Sequence, residues 1–117
     1  SAPRRRVAAL AQRVRVLVAP GSGNQINLRW LLKKLGSENV TNLLVEGGGE
    51  VNASFLMQGL AQRVAFFYAP MVLGGRDSRP AVAGEGARTL AESQKLSELE
   101  WRRLGPDWLL SGRVAPR

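Results

Sequence analysis

Cysteine and histidine are both absent from this chain of 117 residues. Their absence excludes disulfides, thiol nucleophiles, Ser-His-Asp triads and zinc centres built from His or Cys. Whatever catalysis the chain supports, imidazole does not perform it. Acidic residues are also scarce, with 9 Asp and Glu against 17 Lys and Arg. They are scattered without EF-hand spacing, so no metal site is expected. Long apolar runs are missing as well. The stretch from Val64 to Met71 stops far short of the roughly 20 residues that a bilayer demands, and no membrane span is expected. The amino-terminal Ser-Ala-Pro-Arg-Arg-Arg has the basic flank of a signal peptide without the apolar segment that must follow. A cytoplasmic location is therefore expected.

What is present has the balance of an ordinary globular protein, 44% hydrophobic and 22% charged, and neither a repeat nor a long linker divides it. One domain is expected. The net charge of +8 would concentrate any polyanion nearby, whether nucleic acid or a phosphorylated metabolite, and charge alone does not choose between them. Part of the excess lies in terminal arms, Arg4 to Arg6 and Arg113 with Arg117, which are expected to be solvated.

Local patterns set out the elements. Residues 7–13 are alanine-rich and read as a piece of helix, and the β-branched run from Val14 to Ala19 reads as a strand. Pro20, Gly21 and Gly23 break the chain. From Asn27, the apolar residues Leu28, Leu31, Leu32 and Leu35 fall at helical spacing, with Lys33 and Lys34 near the carboxyl end and Gly36 as the stop. Thr41 to Val45 reads as a buried strand, and Glu50 to Gln58 as a helix ended by Gly59. Val64 to Ala69 is apolar on both faces and reads as a central strand, with Met71-Val72-Leu73 as a brief further one. Gly74-Gly75 opens a glycine- and arginine-rich loop to about Arg88, a candidate for mobility. In the last third Leu99 and Trp101 alternate with charged residues, Gly105-Pro106-Asp107 is a turn, and Trp108 to Val114 returns antiparallel, so that Trp101 and Trp108 fit a cross-strand pair. This order predicts an α/β fold with parallel crossovers, a mixed sheet and a closing hairpin.

The junction Val45-Glu46-Gly47-Gly48-Gly49-Glu50-Val51-Asn52 carries the most chemistry. Glycines tolerate positive φ and let the main chain approach a bulky anion, and the first free N–H groups of the following helix point into the same space. A phosphate suits that place. A tight structural turn that merely needs glycines is an equally open account of these residues taken alone. The pattern is not G-x-G-x-x-G, since Asn52 occupies the third glycine position and no acidic residue follows at the usual distance; it is not a Walker loop either. Glu46, at the end of an expected buried strand, requires donors such as sugar hydroxyls or nearby backbone N–H groups. Glu50 is expected to point outward while its main chain serves the ligand.

These residues resemble the reductase domain of the bifunctional riboflavin-biosynthesis deaminase/reductase family. Residues 43–56 are similar to its cofactor loop, Ala69-Pro70-Met71-Val72-Leu73-Gly74-Gly75 to a second signature at the same separation, and residues 104–112 to its closing hairpin. The resemblance implies a dihydrofolate-reductase-like fold of mixed sheet and flanking helices. It also implies NADPH-dependent reduction of the ribosyl group of 5-amino-6-(5-phosphoribosylamino)uracil to a ribityl chain. On this likeness the cofactor is held by Gly47, Gly48, Gly49, Glu50, Val51, Asn52, Ala53 and Ser54, and Glu46 contacts the phosphorylated substrate. No catalytic residue is implied. The chain departs from the family at Gln62 and Arg63, where an acidic pair is usual, and at Met71, where lysine is common. Residues 1–117 are expected to be the carboxy-terminal portion of the reductase domain, without the deaminase and inactive alone.

A reductase of the same fold acting on a pterin or other pyrimidine is an alternative. A basic nucleic-acid-binding module is another, resting on the charge and on Trp30, Trp101 and Trp108, although packing accounts for those rings and nucleic acid is not the expected partner. Exposed strand edges lead to the expectation of a homo-oligomer.

Overall fold

A computed structural model describes residues 3–20 and 25–116; the expected break at Gly21 and Gly23, and Arg117, lie outside them. The chain divides into two compact units, residues 1–43 and 44–117.

The first unit holds helix α1 (Arg4–Ala11) and helix α2 (Leu28–Gly36). Helix α2 forms where the leucine spacing predicts it. Asn27 caps it, its Oδ1 accepting from the Trp30 amide at 2.9 Å and so satisfying one of the donors that a helix start leaves over. Its end differs from expectation. Gly36 remains helical, and the left-handed residue is Asn39, at φ 64°. Around it the Val40 amide donates to Leu35 O and the Asn39 amide to Gly36 O, both at 3.1 Å, the paired bonds of a Schellman ending. Asn tolerates this conformation among non-glycine residues because its short polar side chain bonds locally. Past the helix, Glu38 accepts from Arg15 Nη1 at 2.9 Å and also contacts Arg15 Nη2, and Lys34 Nζ lies 2.8 Å from its Oε1. The two cations hold the Glu38 carboxyl down at about 2, through hydrogen bonds from Arg15 first and Lys34 second.

The second unit holds helix α3 (Gly49–Met57), strand β1 (Arg63–Tyr68), a single 3₁₀ turn (Leu90–Glu92), and strands β2 (Leu96–Leu104) and β3 (Asp107–Val114). The sheet order is β1-β3-β2 and both pairings are antiparallel. The α/β class and the hairpin stand, but the described sheet is not mixed. Residues 14–19, 41–45 and 71–73 form neither helix nor strand. β-Branched composition favours a strand only where a neighbour supplies ladder bonds, and among the described residues none does so here. Leu44 and Val72 stand 79% and 97% exposed as a result. The expected central strand also changes place. β1 lies at an edge and β3 is central, so Phe67 is 68% exposed despite its apolar character.

Turn chemistry sets the hairpin register. Gly105 at φ 61° leads a two-residue turn with Pro106, and Leu104 pairs with Asp107 across it; glycine in the first central position suits the strand twist. This register places Trp101 opposite Leu110 and Trp108 opposite Arg103, so the two tryptophans are diagonal neighbours and not the expected pair. The ring contact runs instead between Tyr68 and Trp101, with centroids 5.8 Å apart. Further along, a bulge between Ser97 and Glu100 puts Glu98 at φ 50°. It carries Leu99 over Gly112, where its Cδ2 lies 2.8 Å from the position that a Cβ on residue 112 would take.

Among the described residues the buried hydrophobic ones are Ala53, Phe55 and Leu56, all on α3. Burying side chains of the size of Phe55 and Leu56 stabilises by about 1.5–3 kcal/mol each. Gly59 at φ 65° ends the helix as expected, with the Gly59 amide donating to Leu56 O and the Leu60 amide to Phe55 O.

Candidate functional site

Three consecutive glycines precede or open α3, and each answers a different local demand. A Cβ on residue 47 would meet Val51 Cβ and Cγ1 at 2.8 Å, so the valine side chain folds back over that glycine. Gly48 has φ 83° and ψ 172°, a region essentially reserved for glycine. A Cβ on residue 49 would lie 2.5 Å from Pro80 O and 2.9 Å from Ala83 Cβ. The structural account of this triplet is therefore sound in part, because two of the glycines are required by neighbours within the protein.

Gly48 differs from its neighbours, since no atom lies within 4 Å of where its Cβ would be. The space beside it is open. Among the described residues, the amides of Gly47 to Val51 donate no hydrogen bond, and α3 has no side-chain cap. The first helical bond at this end is the Asn52 amide to Gly48 O at 3.0 Å. A run of free N–H groups at the positive end of a helix dipole, bordered by open space, has the chemistry that an anionic oxygen requires. These residues fit a phosphate group.

The remaining candidates divide by burial. Gly47, Gly48, Glu50 and Val51 are exposed and Gly49 is half-buried. Asn52, Ala53 and Ser54 are committed to the protein's own packing: Asn52 Nδ2 donates to Ala81 O at 2.9 Å, Ser54 Oγ donates to Glu50 O at 2.9 Å, and Ala53 is buried beneath Gly84. Glu50 is exposed, as expected of an outward side chain, yet its Oε1 accepts from the Gly84 amide at 3.3 Å. Glu46 corrects an expectation. It is exposed and follows a segment outside the sheet in place of a buried strand, so it has no burial cost to offset and its carboxylate is open to solvent donors.

Sequence reasoning missed the segment that fastens this junction. The loop after Gly75, expected to be mobile, is anchored at residues 80–84 by Pro80 against Gly49, by the Ala83 amide donating to Gly49 O at 3.0 Å, and by the Asn52 and Glu50 bonds. Most of its contacting atoms belong to the backbone, which any residue carries, so side-chain identity gave no signal. The second glycine motif is unlike the first. Met71-Val72-Leu73 is exposed and outside the sheet, and Gly74 and Gly75 have φ 62° and 97° with nothing close to their would-be Cβ positions.

Elsewhere a hollow of ≈ 410 Å³ is lined by residues including Glu92, Gln94 and Pro116. Two of its polar side chains are engaged internally, Gln94 Nε2 donating to Ala115 O at 2.7 Å and Glu92 accepting from the Arg88 amide at 3.0 Å. Among the described residues no helix is long and apolar enough to cross a membrane, and no three acidic side chains group to hold a metal ion.

Residues 1–110 match the family described as RibD C-terminal domain. The chain is 38% identical to a 2,5-diamino-6-ribosylamino-4(3H)-pyrimidinone 5′-phosphate reductase of Methanothermobacter thermautotrophicus, over 97% of its own length and 52% of that protein's. It is 35% identical to riboflavin biosynthesis protein RibD of Actinobacillus pleuropneumoniae over 83% of its length and 26% of the relative's. A reductase of the same name from Archaeoglobus fulgidus is 32% identical, over 70% of this chain and 37% of that protein. The chain thus spans about half, or less, of the length of these relatives.

Proposed function

This chain belongs to the RibD C-terminal domain family, and from that premise we propose that it is the carboxy-terminal portion of an NADPH-dependent reductase of riboflavin biosynthesis. The group reduced is the ribosyl moiety of a ribosylaminopyrimidine 5′-phosphate, converted to the ribityl form. Both the aminouracil implied by the sequence likeness and the diaminopyrimidinone in the relatives' name present that moiety. The fold of the whole domain is read as dihydrofolate-reductase-like, and the setting as cytoplasmic.

The observation that carries this reading is the set of unengaged amides from Gly48 to Val51, with open space beside Gly48. They would hold the pyrophosphate of the dinucleotide, with Gly47 and Gly49 shaping the turn and Asn52, Ala53 and Ser54 keeping α3 and its cover in place. NADPH, when bound, supplies the hydride. The chain's own part is positioning: the amides fix the anionic end, and Glu46, exposed before the glycines, accepts hydrogen bonds from substrate hydroxyls. Such a division suits a chain without histidine or cysteine. A homo-oligomer is part of this reading, because β1 and β2 leave unpaired edges in the described sheet.

Titration of the chain with NADPH, followed by nucleotide fluorescence, tests the proposal. Weak but saturable binding is expected, abolished by Gly48→Val, with no turnover of either pyrimidine by the chain alone. A flat titration up to millimolar nucleotide would overturn it. Product analysis with both pyrimidines and a pterin, using the complete reductase, separates the substrate alternatives. One observation favours a second reading: Tyr68, Trp101 and Trp108 are roughly half exposed on one sheet face beside Arg103, a surface on which bases could stack. A salt-sensitive gel shift with single-stranded DNA at physiological ionic strength would support it over the nucleotide site.

A further inference from the structure

The two edges of the described sheet are built differently. β2 carries Glu98, Glu100, Arg102 and Arg103 and is broken by the bulge between Ser97 and Glu100, two devices that keep foreign strands from pairing. β1 has neither. Its one charge is Arg63, its first residue, and Val64-Ala65-Phe66-Phe67 follows with no bulge in its register against β3. The Val114 amide donates to Gln62 O at 2.9 Å, and this bond fixes the phase of the ladder. Val64, Phe66 and Tyr68 bond to β3, and the main-chain groups of Arg63, Ala65 and Phe67 face outward. Among the described residues nothing pairs with them. Past Tyr68 the edge closes, where the Met71 amide turns back on Ala69 O at 2.8 Å.

A row of free donors and acceptors among apolar side chains recruits another strand. A charged partner finds no complement along Val64 to Phe67. A second copy of β1 does, running antiparallel about a two-fold axis at Ala65. Its main chain exchanges bonds with the free groups, and Val64 meets Phe66 of the copy on one face of the sheet. On the other face Arg63 meets Phe67 of the copy, so the lone charge lies against an aromatic ring and away from its own image. We infer that this chain self-associates through β1, the two sheets joining edge to edge in an isologous dimer. The inference rests on the homo-oligomer in the reading above and names the edge, direction and register of its contact. Each copy carries a net charge of +8, so repulsion opposes the contact and added salt strengthens it. A contact through the charged β2 would weaken with salt instead.

Sedimentation equilibrium on the chain and on its Ala65→Pro, Ala65→Glu, Ala65→Lys and Glu100→Gln variants tests it, together with amide exchange at low and high protein concentration. The unmodified chain is expected to dimerise with a Kd on the order of 10–100 μM, since a ribbon of 6 residues a side lies at the small end of specific interfaces. Its dimer should be tighter at about 0.5 M than at about 0.05 M NaCl. The Ala65 and Phe67 amides should exchange more slowly at the higher protein concentration, while those of Trp101 and Arg103, on the outer edge of β2, stay unchanged. Ala65→Pro removes an outward N–H that the β1–β3 ladder does not use. Ala65→Glu lowers the net charge yet sets a carboxylate against its own copy across the axis, so each variant should weaken dimerisation at least about tenfold. Mixing Ala65→Glu with Ala65→Lys should restore association, and Glu100→Gln should leave it as it was. Dimerisation that survives Ala65→Pro and Ala65→Glu, no recovery in the mixture, or protection at Trp101 and Arg103 overturns the inference and leaves an oligomer held by another surface. A chain that stays monomeric up to about 1 mM overturns both and leaves the cofactor reading standing.

Discussion

The chain carries two clusters of adjacent glycines, and they are constrained in opposite ways. At Gly47-Gly48-Gly49 the neighbours crowd in: Val51 folds over the first, Pro80 and Ala83 press on the third, and only the middle one looks onto open space. At Gly74-Gly75 nothing is close, and the requirement is φ alone. A glycine needed for packing and a glycine needed for conformation are indistinguishable as letters. They differ in what a methyl group would strike, and this sets the order in which substitutions should damage the protein.

The largest effect is expected at Gly49. A methyl group there meets a backbone carbonyl that cannot swing aside, so Gly49→Ala should destabilise by about 2–3 kcal/mol through overpacking, read as a lowered urea midpoint. It should also release the 80–84 anchor, read as faster amide exchange at Ala83 and Gly84. Gly74→Ala, strained only by its left-handed backbone, should cost about 1–2 kcal/mol and leave those amides protected. Equal exchange in the two variants would break the contrast. Asn52→Ala comes next. It removes the bond to Ala81 O and should cost about 1 kcal/mol, and a double-mutant cycle with Gly49→Ala should show coupling because both act on one anchor.

The smallest effect belongs to the other unit. The carboxyl of Glu38 is held at about 2, below its ordinary value of 4.5, so the stability it contributes is present above the ordinary carboxylate range. That contribution is lost as pH falls from about 4.5 through about 2. Glu38→Gln should flatten the acid limb of the melting-temperature profile in this window only. The change should be slight, because exposed ion pairs contribute little. A large change at neutral pH would show that the Arg15–Glu38–Lys34 group does more than an ordinary surface cluster.

What could be read from the sequence was local. Helix α2 announced itself through Leu28, Leu31, Leu32 and Leu35 with Asn27 before them, and the hairpin through Gly105-Pro106, because caps and turns depend on residues a few positions apart. Helix α3 and its Gly59 ending were legible for the same reason. Residues 14–19 and 41–45 misled, because strand-forming composition says nothing of whether a partner stands alongside. The apolar run of β1 suggested a central place, yet its edge position depends on how a distant hairpin pairs. At the candidate site the glycines and Glu46 could be named in advance. The 80–84 anchor could not, since it is made largely by carbonyls and amides common to every residue.

The bulge opposite Gly112 has a consequence for how the terminal ribbon keeps its phase. Leu99 acts as a key, and the missing side chain at residue 112 is the notch that admits it. Slipping the hairpin by two residues would bring Leu110 or Val114 to that spot, where a bulky side chain would block the leucine. The ribbon thus carries its own ratchet stop some distance from the turn that starts it.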